Sequence, residues 1–403
     1  MKKWLNIILI FLIILIVVLL SVLKYKDYLL QKKIKNAIID IQLIDDLDIT
    51  FNSNIKVSDL IKNINGNIVN DYKIDTDVLG NKRIDFFYIN EQGIKIPYSI
   101  NINVIDDIPP LISIGTTYSV KVGYNKNLLD VILCGDNYDD NPTCTIKGDF
   151  DLNKVGKYSL VYEAIDSSGN ISKKNFTLNV YKPSNSQSNS SSSKKVYFSD
   201  VYKEYKRNNT KIGIDVSKWQ GKIDYEKVKN AGVEFAFIKL GGTNGFGGDY
   251  YIDSKFEENI EGFTRVEIPV GVYFYSYADS KEKAFIDALW VISKLKNYKI
   301  DLPVAYDWEN WSSYNKFNLS FYNLTENART FINTIEKFGY KSILYSSKSY
   351  LENIWLNYNE PVWLAHYTSK TNYKGKYNFW QMTSSGIVDG IKDNTVDINI
   401  MYE

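Results

Sequence analysis

The sequence has very little histidine and cysteine, and this scarcity removes several classes of enzyme. Among 403 residues there is one histidine, His366, and there are two cysteines, Cys134 and Cys144. A catalytic zinc site usually needs two or three histidines together with a carboxylate or thiolates, so we do not expect a zinc amidase or peptidase. A cysteine peptidase needs a thiol beside a histidine, yet both cysteines belong to a different module from His366. We therefore expect no metal or organic cofactor, and we interpret His366 as a polar strand residue.

The chain also lacks an excess of either charge. It carries 48 basic and 47 acidic residues, which gives a net charge of +1. With no overall field to attract phosphates, nucleic acid is not an expected partner. The length is sufficient for two or three domains.

A long apolar run is present near the N-terminus. Residues 5–23 are isoleucine, leucine, valine and phenylalanine, interrupted only by Asn6 and Ser21. At about 1.5 Å per residue the run spans roughly 28 Å as a helix, which matches the hydrocarbon core of a bilayer. No small-residue cleavage site follows it. The run predicts an uncleaved transmembrane signal anchor in the lipid bilayer, preceded by a cytoplasmic tail at residues 1–4.

An internal repeat with an offset of 76 residues follows the apolar run. Five residues recur at this offset, namely Asp75, Gly80, Gly93, Asn103 and Val104 as Asp151, Gly156, Gly169, Asn179 and Val180. Alternating stretches at 159–165 and 175–181 flank a turn-rich segment, which predicts a hairpin of a small β-sandwich. Farther upstream the offset is 71, so the second copy gains five residues. We assign residues 24–106 (with a juxtamembrane segment) and 107–182 to two all-β modules.

The two cysteines, Cys134 and Cys144, lie ten residues apart in a turn-rich part of the second module, where the extra five residues fit. Outside the cytoplasm this spacing predicts a disulfide, which contributes about 2–3 kcal/mol to stability. Two free, buried thiols are the alternative interpretation. The modules resemble bacterial immunoglobulin-like domains, especially at 156–158 and 162–166, and that resemblance implies spacer modules without catalysis.

A serine-rich segment at residues 183–197 separates the modules from the C-terminal domain, and its composition predicts a flexible linker. After it come eight strand-like runs, at 211–216, 235–240, 269–276, 302–309, 342–347, 362–367, 377–382 and 396–402. Helix-like stretches fill the first five gaps, whereas the last two gaps are too short for helices. This order predicts a flattened (β/α)5(β)3 barrel of the TIM type over residues 198–403.

Acidic residues stand toward the ends of these runs, with Asp215 in the first and Asp307 and Glu309 in the fourth. Two strand residues two apart share a face, with Cα atoms about 6.5–7 Å apart. Two negative charges at that distance repel by about 2.5 kcal/mol at an effective dielectric constant near 20, which raises the pKa of one of them. Paired carboxylates among aromatic residues are typical of enzymes that break glycosidic bonds.

Several segments of this domain resemble glycoside hydrolase family 25, the N-acetylmuramidase lysozymes. They are residues 213–217 with 219–221, then 235–239, 271–275, 307–309, 363–365, 380–381 and 396–399, in the family's order. The resemblance covers about residues 211–403 and implies cleavage of the β-1,4 bond after N-acetylmuramic acid in peptidoglycan. Phe274 stands where the family often has histidine, which affects one side-chain contact.

The resemblance also implies the roles of individual residues. Glu309 would donate a proton to the leaving oxygen, and Asp307 would stabilise positive charge at the anomeric carbon or steer the substrate's acetamido oxygen. Asp215 and Asp397 match two supporting acids, although helix caps or buried hydrogen-bonded acids remain the alternative for both. The candidate substrate-binding residues are Tyr273, Tyr275, Trp363, Tyr367 and Gln381.

We therefore expect a membrane-anchored peptidoglycan hydrolase that remodels the cell wall locally. The alternative is a catalytically silent surface adhesin or glycan-binding wall protein. Five lysines follow the apolar run within residues 24–35, against two before it, so the positive-inside rule taken alone favours a cytoplasmic domain. Because the cysteines and the substrate belong outside, we expect a single-pass membrane protein with its catalytic domain extracellular.

Overall fold

The computed structural model describes residues 2–183, 195–309 and 318–403, and at residues 2, 3 and 5–9 it describes the backbone only. Most of the predicted serine-rich linker, residues 184–194, lies outside the described residues. The chain divides into two compact units, Met1–Asp107 and Ile108–Glu403. The second β-module and the C-terminal barrel thus belong to one unit.

The prediction of a transmembrane helix over residues 5–23 is wrong. The N-terminal residues do form one helix, α1 (Lys2–Lys35). Within the described part of the chain, however, no helix is both long enough and apolar enough to cross a bilayer. Lys24, Lys26 and Asp27 follow the apolar run inside the same helix, which continues to Lys35. The predicted tail, anchor and start of the juxtamembrane segment are therefore parts of one continuous helix.

The first module follows α1 and consists of short strands around one long hairpin. Its strands are β1 (Ile41–Leu43), β2 (Asp48–Thr50), β3 (Ile61–Ile64), β4 (Gly66–Ile68), β5 (Gly80–Asn90) and β6 (Lys95–Ile105), with a 3₁₀ helix at Val57–Leu60. One sheet has the order β2-β6-β5-β4, and β1 pairs with β3. In β5 and β6 every second side chain is buried, Ile84 and Ile100 among them, because successive strand residues point to opposite faces.

The second module repeats this arrangement. It contains β7 (Leu111–Ser113), β8 (Thr117–Lys121), α2 (Leu128–Val131), β9 (Leu133–Gly135), β10 (Thr143–Lys147), β11 (Gly156–Ile165) and β12 (Ile171–Tyr181). One sheet has the order β10-β11-β12-β8, and β7 pairs with β9. The hairpin recurs at the 76-residue offset, since Gly80 pairs with Val104 and Gly156 with Val180. A disulfide joins Cys134 to Cys144, around the segment where the second copy is longer.

The barrel begins after the linker and alternates strands with helices. Its elements are β13 (Val196–Tyr197), α3 (Phe198–Tyr205), β14 (Thr210–Val216), α4 (Tyr225–Asn230), β15 (Ala236–Thr243), β16 (Tyr250–Ile252), α5 (Phe256–Arg265), β17 (Val270–Tyr275), α6 (Lys281–Leu295), β18 (Val304–Asp307), α7 (Phe321–Lys337), β19 (Ser342–Ser347), α8 (Lys348–Asn353), β20 (Val362–Ala365), β21 (Phe379–Ile387) and β22 (Val396–Tyr402). A 3₁₀ helix lies at Lys218–Gln220. The eight predicted barrel strands are all present. The short strands β13 and β16 and the helix α3 were not predicted.

The barrel strands run in parallel from β14 through β15, β17, β18, β19 and β20 to β21. The last strand, β22, is antiparallel to both β21 and β14 and closes the barrel. Helices α4 to α8 follow the first five strands. Residues 366–378 and 388–395, which are all described, contain no helix.

Alternation along the strands separates two apolar layers. Side chains such as Ile214, Val272 and Leu344 pack outward against the helices. Phe237, Ala305 and Trp363 belong to a second cluster formed by the alternate residues, which fills the inside of the barrel. Asp307 is two residues after Ala305 and therefore projects from the same inner face.

Candidate active site

Four acidic side chains meet at the end of the barrel where the parallel strands finish. Asp215 lies near the end of β14, Asp307 is the last residue of β18, and Asp397 lies on β22 directly opposite Asp215. Glu309 comes two residues after β18. The pocket they share has a volume of about 210 Å³ and is lined by Asp215, Lys239, Tyr273, Tyr275, Asp307, Glu309, Tyr345, Trp363, Tyr367, Gln381 and Asp397.

The expectation that Asp307 and Glu309 lie on one strand is only partly right. The strand ends at Asp307, whose neighbour across the ladder is Tyr275, the last residue of β17. Beyond this point Glu309 has no strand partner on that side. Its carboxyl group nevertheless reaches the same pocket as Asp307.

Asp215 is held by a network of buried hydrogen bonds. Gln381 Nε2 and Asn399 Nδ2 both donate to Asp215 Oδ2, at 2.9 and 2.8 Å. Each amide is fixed in turn by a donor to its own oxygen. Tyr345 Oη donates to Gln381 Oε1 at 2.8 Å, and Trp363 Nε1 donates to Asn399 Oδ1 at 2.8 Å. The network therefore sets the orientation of the Asp215 carboxyl group.

Asp307 lies deeper in the pocket and has a different environment. Its side chain is buried, and its Oδ1 accepts no hydrogen bond from any described residue. Lys239, on the inner face of β15, is the positively charged member among the described residues of the pocket lining. Its Nζ lies 5.1 Å from the ring centre of Tyr275. Asp307 thus retains an acceptor atom that a bound substrate can use.

Burial dominates the electrostatics of the two deeper acids. It raises the pKa of Asp215 to about 6, although the hydrogen bonds from Asn399 and Gln381 oppose the rise. Burial, followed by repulsion from Glu309, holds the pKa of Asp307 well above its usual range, while Lys239 acts in the opposite direction. We expected repulsion between the carboxylates to be the main cause of the raised pKa, whereas desolvation is the larger effect.

The other two acids stand closer to solvent. The Glu309 side chain is open to water at the rim, yet desolvation by the surrounding protein still raises its pKa. A hydrogen bond with Tyr345 and the charge of Lys239 oppose this rise. For Asp397, burial and then repulsion from Asp215 and Glu309 raise the pKa to about 9. The cluster therefore retains protons at neutral pH, which is a condition for general acid chemistry.

The five predicted substrate-binding residues all line this pocket, but they differ in what they offer a ligand. Tyr367 is 58% exposed and stands at the rim. The Trp363 ring is stacked on Phe237 at 4.2 Å between ring centres, so its role is mainly to support the pocket floor. Gln381 is buried and acts through Asp215. Tyr273 and Tyr275 are half-buried on the inner face of β17.

Three residues of the site, Lys239, Tyr345 and Asn399, were not predicted. The alternation of side chains along a strand, which located the acids, also predicts the positions of these three residues. Asn399 is two residues after Asp397, and Tyr345 is two after the inward-facing Ile343. Lys239 is two after Phe237 on β15. Strand alternation places all three on the inner face of the barrel.

Two larger clefts lie elsewhere on the barrel, with volumes of about 690 and 800 Å³ around residues 387–395. The acidic side chains that line them are the exposed Asp224, Glu226, Glu258, Glu261, Asp389 and Asp393. Buried carboxyl groups that converge on one cavity therefore occur in the smaller pocket and not in these two clefts.

Comparison with known proteins agrees with this site. A model of the glycosyl hydrolases family 25 matches residues 214–391. The uncharacterized protein YegX of Escherichia coli strain K12 is 31% identical over 198 residues, which cover 47% of this chain and 68% of YegX. The chain belongs to glycosyl hydrolase family 25. The family-25 match includes Asp215, Asp307 and Glu309, and it ends before Asp397.

Two further relatives of this family-25 chain are lysozymes. Lysozyme M1 of Streptomyces globisporus is 30% identical over 207 residues, covering 46% of this chain and 66% of the relative. The autolytic lysozyme of Clostridium acetobutylicum is 28% identical over 182 residues, covering 44% of this chain and 52% of the relative, about half its length. The family-25 chain is accordingly a glycoside hydrolase of the muramidase type.

Replacing Lys239 by methionine is expected to move the pH–activity profile of this family-25 enzyme to higher pH. The Lys239 charge lowers the pKa of both Asp307 and Glu309. Without this charge both pKa values rise. Glu309, which must be protonated, and Asp307, which must be ionised, then each titrate at higher pH. The measurement is kcat/KM against pH, with Lys341→Met as a control on the surface. An unmoved profile, or a move to lower pH, would contradict the expectation.

Proposed function

We propose that this enzyme hydrolyses the β-1,4 bond between N-acetylmuramic acid and N-acetylglucosamine in peptidoglycan. One observation carries the proposal, namely that Asp307 and Glu309 share a small pocket in which both pKa values are raised. Family membership and similarity to two lysozymes support the choice of substrate.

Glu309 is the proposed general acid. It stands at the rim of the pocket, where a glycosidic oxygen can reach it, and desolvation raises its pKa, which favours the protonated form that a general acid needs. Donation of that proton to the leaving oxygen allows the glycosidic bond to break while the sugar ring gains positive charge.

Asp307 is the proposed second catalytic carboxyl group, which acts with Glu309 from the deeper side of the bound sugar. Its unpaired Oδ1 faces developing positive charge, or the acetamido group that attacks the anomeric carbon. A cation beside an acid lowers its pKa, so Asp307 acts in its ionised form, having released its proton to water before the glycosidic bond breaks, while Glu309 keeps the one proton that passes to the leaving oxygen. Asp215 and Asp397 have a supporting role. The hydrogen bonds to Asp215 fix the inner wall of the pocket. The charge of Asp215 raises the pKa of Asp307, and Asp397 interacts electrostatically with Asp215 and Glu309.

We also propose that the enzyme works outside the cytoplasm, facing the cell wall, and opens the wall locally. The Cys134–Cys144 disulfide supports this location, since disulfides persist in oxidising compartments.

The identity of the new chain ends tests the proposed bond specificity. The full chain is incubated with purified cell walls, and the products are reduced with borohydride and hydrolysed. New reducing ends should be on N-acetylmuramic acid and should appear as muramitol. New ends on N-acetylglucosamine, or newly freed peptide amino groups, would replace this proposal with a different bond, and no new ends at all would favour a glycan-binding protein.

Replacing Tyr367 by alanine is expected to raise KM about fivefold with little change in kcat. The ring is exposed at the rim, where it can stack on a sugar, and an aromatic contact of this kind contributes about 1 kcal/mol. Tyr367→Phe keeps the ring and loses the hydrogen bond to Gln381, so it separates the two contributions. Equal KM values for the alanine variant and the unaltered enzyme would remove Tyr367 from the binding surface.

A further inference from the structure

The second β-module contacts the barrel at the first turn of α7. Its disulfide-closed loop provides two backbone acceptors there, since Phe321 N donates to Asp136 O at 2.7 Å and Tyr322 N donates to Asn137 O at 3.2 Å. The first amides of a helix have no partner within the helix itself. The loop therefore completes the hydrogen bonding of α7 from another module.

Asp140 adds a side-chain contact at the same place. Its Oδ1 accepts from Ser320 N at 2.6 Å and from Asn323 Nδ2 at 2.8 Å. A carboxylate at the start of a helix also interacts favourably with the helix dipole. Asp140 thus ties the module to the residue that caps α7, because Ser320 Oγ accepts from Asn323 N.

The same module borders a second element beside the active site. Residues 111–115 and Lys174 face α8 across a cavity of about 360 Å³. On that helix, Tyr350 Oη donates to the backbone carbonyl oxygen of Glu309 at 3.2 Å, and its ring lies 5.8 Å from that of Trp308. Leu133 of the module is buried in the main barrel core.

These contacts flank the segment that carries the proposed acid. Helix α7 is the next described helix after Glu309 along the chain, and α8 holds the Glu309 backbone in space. We propose that the second β-module, through Asp140 and the Cys134–Cys144 loop, positions the Glu309 segment for catalysis. The inference rests on the proposed function, and Asp140 is in this view a positioning residue that never touches the substrate.

The test compares Asp140→Ala and Asp140→Asn in the full chain, with Asp149→Ala as a matched control. Asp149 is an exposed aspartate of the same module outside the loop. Asp140→Ala removes the acceptor of both hydrogen bonds and should lower kcat on cell walls about tenfold, with KM changed less than twofold. Asparagine keeps an acceptor oxygen at the same position, so Asp140→Asn should restore most of kcat. Asp149→Ala should leave both parameters unchanged.

Hydrogen exchange provides a readout that does not depend on activity. In Asp140→Ala the amides of residues 304–309 and 318–324 should exchange faster than in the unaltered chain, whereas those of β14 and β22 should be unchanged. Unaltered exchange around Glu309 would overturn the inference even if no wall were hydrolysed. So would an unaltered kcat, or a kcat loss that asparagine fails to restore. An inactive unaltered chain with altered exchange would instead count against the proposed function alone.

Discussion

Replacing Glu309 by glutamine should lower kcat on cell walls by about 10²–10⁴-fold, the range lost with a general acid. Glutamine has nearly the same size and can still interact with Tyr345, but it carries no proton to donate. The variant should fold and bind glycan normally, because Glu309 lies at the rim and outside the buried strand ladder. Release of reducing ends from purified walls is the measurement.

Glu282→Gln is the matched control for this variant. Glu282 is an exposed glutamate in the first turn of α6, outside the pocket lining, so its loss should leave kcat unchanged. The Glu309 variant should also lower the pKa of Asp307 and Asp397, since the Glu309 charge raises both. Wild-type activity in the glutamine variant would refute the assignment of the acid.

Replacing Asp307 by asparagine should lower kcat by about 10²–10³-fold, the size expected when one preorganised electrostatic contact to the transition state is removed. Asparagine has no charge to stabilise a developing sugar cation. KM should change little, because the contact strengthens only as charge develops. Single-turnover hydrolysis of cell-wall glycan is the measurement, and a loss confined to KM would count against the proposed role.

The same Asp307→Asn change should stabilise the barrel at neutral pH. The folded-state pKa of Asp307 lies well above its unfolded value, so the folded state binds more protons and loses stability as pH rises from about 4 toward that raised value. Asparagine has no such penalty. We expect the melting temperature to rise by roughly 3 °C or more at pH 7, with the gain disappearing near pH 3. A lower melting temperature at pH 7 would show that Asp307 is stabilising in the folded state.

Strand alternation explains why much of the site could be predicted from sequence. Once eight strands are assigned, the period of two places Asp215, Asp307 and Asp397 on the inner face near one end. Lys239 obeys the same rule but was missed, because a lysine in a strand is usually interpreted as a solvated residue. The strand assignment failed at Glu309, where β17 offers no further partner after Tyr275.

The remaining errors and omissions concern interactions that no local pattern records. The transmembrane prediction considered an apolar run by itself, although Lys24, Lys26 and Asp27 continue the same helix. The second β-module was expected to act only as a spacer. Asp140 and Ser320 are distant in sequence, and their contact depends on how two folded surfaces fit together.

This contact limits how the molecule can be divided. An excised barrel would lose Leu133 from its core and would leave the amides of Phe321 and Tyr322 without the acceptors that the second module supplies. The barrel core would then have an opening at the position of Leu133, and α7 would lose two of the hydrogen bonds at its first turn. Any portion of the chain that keeps these contacts of α7 must therefore include residues 133–140, which lie well before the linker.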